Sequence, residues 1–140
     1  MGRVETFDHT ADLGLRIFGE DLADLFRTAA EGLFDVIVAN RDQVQVVETE
    51  PVSLEAESTE DLLVGWLNEL IFRCETRHRL YTRFDVVLGD SGRRLDGTIG
   101  GEPIDRGRHL LDHEVKAATR HGLSLRPENG GWAAEVILDI

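Results

Sequence analysis

The chain has 140 residues, 41% apolar and 30% charged, and its 15 basic against 27 acidic residues give a net charge of −12. That length suits a single domain over residues 1–140 with a sizeable core, and three prolines without a low-complexity run exclude a disordered chain. The charge disfavours strong direct binding to nucleic acid, whose phosphates would be repelled, and favours a cation or a basic protein partner.

In chain order, residues 13–18 alternate, with Leu13, Leu15 and Ile17 on one face and Gly14, Arg16 and Phe18 on the other, which predicts a strand ended by Gly19-Glu20. Asp21 is placed to cap a helix, with Asp24 at its third position facing free backbone N–H groups. The stripe Leu22, Leu25, Phe26, Ala29, Ala30, Leu33, Phe34, Ile37 keeps helical spacing for four turns. Residues 43–57 read as extended, with Pro51 marking an interruption or an edge. Ser58 and Asp61 open a second helix with the stripe Leu62, Leu63, Trp66, Leu67, Leu70, Ile71, Cys74. Strand-like runs at 81–89 and 93–104 flank "DSG", and runs at 121–127 and 132–140 flank "ENGG", two hairpin signals. Residues 112–119 fit a strand or a helical turn equally. Two helices and five to seven strands predict an α+β fold, both amphipathic helices packed on one face of an antiparallel or mixed sheet.

Several chemistries are excluded. "GTIGGE" (97–102) lacks the lysine and spacing of a P-loop, and neither G-x-S-x-G nor H-E-x-x-H occurs. His109 and His113 are four apart but carry no helix signal and no suitably placed acid, so a zinc pair there is disfavoured. The single cysteine rules out an intramolecular disulfide, and Cys74 continues an apolar stripe, as a small core residue would. The cluster Arg73, Arg77, His78, Arg79, Arg83, with Arg93 and Arg94, reads as solvated helix-end and turn residues rather than an RNA-contacting patch. No apolar run approaches the roughly 20 residues that span a bilayer, and the N-terminus has no hydrophobic signal region, so a cytoplasmic protein without membrane contact is expected.

The carboxylates remain. Alternation in 132–140 puts Trp132, Ala134, Val136, Leu138 and Ile140 on the core face and Glu135, Ile137 and Asp139 on the other. Asp139 therefore points off the core at the very end of a strand, next to the terminal carboxylate of Ile140. Asp12 likewise starts a strand. Taken singly, each has a structural explanation: a solvated terminus, a turn aspartate, and for Asp24 a helix-dipole partner. Hard cations need several oxygens from separated segments, and carboxylates at element ends are a usual source. Spacing alone does not bring these acids together.

The segments "HTADLGLRIFG", "DLADLF", "LLVGWLNELIF" and "HEVKAATRHGL" and a final "VILDI", in this order over nearly the whole chain, resemble the archease family. The resemblance implies an α+β accessory protein of the RtcB-type tRNA-splicing RNA ligase. Such proteins promote guanylylation of the ligase's active-site histidine, allow repeated turnover in RNA ligation and repair, and broaden its nucleotide use. It also implies a bound divalent cation, typically calcium, with Asp12 (of H-T-A-D), Asp139 and the terminal carboxylate of Ile140 as ligands, and Asp24 as the acid of the first helical turn. Two departures stand out: Arg120 replaces a usual aromatic after the K-A-x-T segment, and the helix opens Asp-Leu-Ala-Asp where Ser-Leu-Glu-Glu is usual.

Three functions compete. The first is a non-enzymatic ligase activator, with RNA binding left to the partner. The second is a metal-dependent phosphoester hydrolase using the same acids, with His9 as a general base. The third is a chaperone-like binding module, which would need exposed apolar patches.

Overall fold

The alternating run after Asp12 forms the second strand of a four-stranded antiparallel sheet. The computed structural model describes residues 2–9 and 12–140, with backbone alone at His9. Strands β1 (Arg3–His9), β2 (Asp12–Gly19), β7 (Gly131–Asp139) and β6 (Ala117–Glu128) lie in the order β1–β2–β7–β6. A second antiparallel sheet joins β3 (Glu48–Glu55), β5 (Arg94–Pro103) and β4 (Arg79–Gly89) in the order β3–β5–β4. Between them in the chain come helices α1 (Leu22–Ile37) and α2 (Thr59–Arg77). Asp21 caps α1 by accepting from the Asp24 N–H at 2.8 Å, and Ser58 caps α2 by accepting from the Asp61 N–H at 3.1 Å.

The α+β class and the antiparallel pairing agree with the sequence reading, but the strands divide into two sheets rather than one. Each helix packs against strands of both: α1 on β4 and β2, α2 on β6 and β4. The reason lies in the width of the buried surface on α1. Its predicted stripe is buried from Leu25 onward, and so are Thr28, Gly32 and Val36 outside it. Periodicity reports that a helix face is covered; it does not report by how many layers. In the centre Phe34 meets Tyr81 edge-on and stacks on Phe84, each at 5.8 Å, and the Trp66 indole donates to the Phe26 carbonyl at 2.9 Å, joining the helices.

Both predicted hairpins form. At β6–β7, Asn129 (φ 51°) and Gly130 (φ 81°) both adopt the left-handed region that a two-residue primed turn requires. Pro51 lies on an edge strand, where its missing N–H costs no ladder bond. Strand β1 escapes the sequence reading because its charges at Arg3, Glu5 and Asp8 obscure the alternation, as befits an edge.

Residues 104–116 form a long strap instead of a regular element. It satisfies the carbonyls that α1 leaves open at its C-terminus: the Asp112 N–H donates to Ile37 O (2.8 Å) and the His113 N–H to Val36 O (3.1 Å). Of the ambiguous stretch 112–119, only Ala117 onward is strand.

The arginine cluster is solvated only in part. Arg83 and Arg93 are exposed as read, but Arg73, Arg77 and Arg79 converge on Glu50 of β3, with Arg73 3.3 Å and Arg79 3.8 Å from its carboxylate and the half-exposed Arg77 bonding it directly. The Tyr81 hydroxyl donates to the same carboxylate at 2.8 Å, and burial together with that bond pushes its ionisation well up. The Arg73 side chain is only 11% exposed.

Candidate metal centre

Strand alternation in β2 and β7 places Leu13, Leu15, Ile17, Ala134, Val136 and Leu138 against the core. Asp12 and Asp139 therefore lie on the outer face of the four-stranded sheet, the face away from both helices. The register sets them directly opposite each other, and the same rung continues to the backbone of His9 on one side and to Ala117 on the other. Directly opposed antiparallel residues have Cα atoms about 4.5–5.5 Å apart. Two carboxylates so placed can reach one cation.

The surroundings fix this rung. On the next rung of the outer face, the ring of Phe7 lies over Gly14, where a Cβ would sit 2.2 Å from the ring. The Arg16 guanidinium covers that ring at 4.6 Å and bonds Glu135 at 2.9 Å. On the β6 side, the Lys116 N–H donates to the Asp139 carbonyl at 2.8 Å. The Ile140 side chain packs on the core and tethers the backbone beside Asp139.

Asp24 does not join this pair. It neighbours Gly19, at the far end of the eight-residue strand that begins with Asp12, a separation of about 23 Å at roughly 3.3 Å per residue. Its carboxylate accepts from the Glu20 N–H at 2.9 Å and pairs with Arg27. The expectation that Asp24 ligates together with Asp12 is corrected by that placement: a first-turn acid here serves the helix end.

Among the described residues, no group of three or more His, Cys, Asp or Glu side chains gathers as a metal cage. The Asp12–Asp139 pair offers oxygen donors only. That donor set fits a hard cation of the calcium or magnesium class, whose remaining positions carbonyls or waters complete, and does not fit zinc. Thr10, Ala11 and the side chain of His9, weighed above as a general base, lie outside the described residues.

Two sites went unseen in the sequence. His109 is buried (2% exposed) with Glu102 (4%). Its Nδ1 accepts from the Asp105 N–H at 2.9 Å, so Nε2 carries the proton it shares with Glu102 at 3.0 Å. The Arg108 guanidinium clasps the same carboxylate, and that bond holds Glu102 down at about 2. These partners make His109 a strap anchor, while His113 is exposed beside Asp112. The other site, the Glu50 hub, has no local sequence signal, since its four partners come from α2 and β4. Cys74 is half-buried, and desolvation pushes its thiol up to about 11, which suits an inert packing residue.

The chain from residue 5 to 140 matches the archease protein family (MTH1598/TM1083). An archease of Methanothermobacter thermautotrophicus is 38% identical over 142 residues, covering all of both chains. The solution structure of protein 1598 from Methanobacterium thermoautotrophicum superposes with a TM-score of 0.79 at 35% identity, covering 98% of each chain. A Thermotoga maritima crystal structure, described as an archease and possible chaperone, shares the fold with a TM-score of 0.64 at 20% identity, covering 97% of this chain and 96% of that one.

Proposed function

Since the chain belongs to the archease family, we propose that it is a non-enzymatic activator of an RtcB-type tRNA-splicing RNA ligase, promoting guanylylation of the ligase and its multiple turnover in the cytoplasm. We further propose that Asp12, Asp139 and the terminal carboxylate of Ile140 hold one divalent cation, calcium in type. The observation that carries the reading is the direct opposition of Asp12 and Asp139 on the off-core face. Like charges directly opposite across a ladder are destabilising, and a cation that binds both reverses the sign of that term. A bound cation would supply positive charge at this sheet end and link the last strand to the second. The net charge of −12 suits action on a protein, leaving RNA to the ligase. Among the described residues, no helix is long and apolar enough to cross a membrane.

A chaperone-like role, the description attached to the Thermotoga relative, is the second reading. The large exposed apolar side chains, Phe72 on α2, Val87 on β4, Val46 and Val47 before β3, and Leu110 and Leu111 on the strap, are the surface it would use. A multiple-turnover ligation assay with the cognate ligase decides. Stimulation of turnover by this protein, lost in Asp139→Ala, supports activation. Suppression of client aggregation without any effect on ligation would refute it.

A further inference from the structure

Two segments that mark the family resemblance, "LLVGWLNELIF" on α2 and "HEVKAATRHGL" leading into β6, meet at one polar contact. The Asn68 amide donates to the Ala118 carbonyl at 3.0 Å and accepts from the Ala118 N–H at 2.8 Å. Strand β6 is the edge of its sheet, and Ala118 is buried (5% exposed). Asn68 thus makes both bonds that a further strand would make at that residue. A buried main-chain donor and acceptor left without partners would cost more than either bond is worth in water.

The place of this contact gives it a consequence. Strand β6 pairs with β7 over Ala117–Thr119, then its register breaks and resumes only at Ser124. The stretch beside Asp139 is therefore three residues long and cut off from the rest of its strand. Towards β7 it is tied by Lys116 N–H to Asp139 O and by Thr119 Oγ1 to Ile137 O at 3.0 Å. From the helix layer it is tied by Asn68, and at the surface by Arg120 to Asp61 at 2.9 Å between largely exposed side chains. Helix α2 is a firm anchor, because Trp66, two residues before Asn68, is fully buried and bonded to α1.

We propose that Asn68 is a positioning residue for the candidate metal centre: by clamping Ala118 it holds Ala117 in register beside Asp139 and so sets where the Asp139 carboxylate and the chain end stand. This rests on the metal-centre reading above, but its backbone consequence does not.

The test uses the full chain with calcium chloride as the probe. In Asn68→Ala, amide exchange at Lys116 without metal should quicken about tenfold while Leu15 in β2 stays protected, and the calcium dissociation constant by calorimetry should rise about tenfold, the lower end of what loss of an outer support does to a metal site. Arg120→Ala, which removes only the surface tie, should leave both within about twofold of wild type. Should Asn68→Ala fail to fold, Asn68→Asp keeps the shape and the bond from the Ala118 N–H, loses the donor, and must show faster Lys116 exchange. A folded Asn68 variant with wild-type Lys116 exchange overturns the proposal, as does faster exchange with unchanged calcium affinity in a protein that binds calcium. If wild type binds no calcium, the metal reading fails by itself, and the exchange result alone decides for or against the clamp.

Discussion

Replacing Asp139 by alanine separates the role of its carboxylate from the role of its strand. The side chain lies on the outer face, so its removal opens no core cavity, and the Asp139 carbonyl still accepts from Lys116. Two unit charges about 5 Å apart in a water-like dielectric repel by about 0.8 kcal/mol, in line with the scale for opposed cross-strand pairs. Metal-free Asp139→Ala should therefore melt at the wild-type temperature or up to about 4 °C above it for a chain of this size. With calcium at a hundredfold excess over its dissociation constant, wild type should gain about 2.7 kcal/mol by linkage, roughly 10 °C. The variant should lose most of that gain, and in the ligation assay it should lose turnover stimulation while staying folded. Scanning calorimetry with and without calcium, run beside the ligation assay, reads all three. A metal-free variant that unfolds would show Asp139 to be structural. A variant that keeps the calcium gain would remove it from the ligand set.

Asp24→Ala should behave oppositely, losing the bond from the Glu20 N–H and about 1 kcal/mol of stability in a thermal melt while binding calcium like wild type. Residues appended after Ile140 should displace the terminal carboxylate, weakening calcium binding and ligase activation with the circular dichroism unchanged; full binding by such a chain would remove that carboxylate from the ligand set. The Glu102 carboxyl, lowered to about 2 by Arg108, gives stability that is fully present above its unfolded value near 4.5 and is lost as pH falls towards 2, on the order of 1–3 kcal/mol. Denaturant melts over that range should show the loss in wild type. Glu102→Gln should start less stable at pH 7 and change less with acid.

Much of this molecule is legible in the sequence because it depends on neighbours in the chain. Period-two alternation put Asp139 off the core face, helical spacing outlined α1 and α2, Asp21 and Ser58 marked where they start, and Asn129-Gly130 chose its own turn, since few residues tolerate positive φ. The tertiary structure alone decided what depends on distant partners. Asp12 and Asp139 are 127 residues apart in the chain, and only the register of β2 against β7 sets them face to face; a one-residue slip would turn one of them to the core. Asp24 looked equivalent to them as a residue type, yet the length of β2 carries it to the other end of the sheet. Arg73, Arg77 and Arg79 read as a solvated cluster, and only β3 gives them a shared partner by bringing Glu50 among them. Asn68 sits beside an apolar stripe with no local sign of its task, because the groups it satisfies belong to an edge strand fifty residues further on. Local periodicity is written into each segment by its own side chains, whereas pairing register and layer order emerge from the packing of all segments at once.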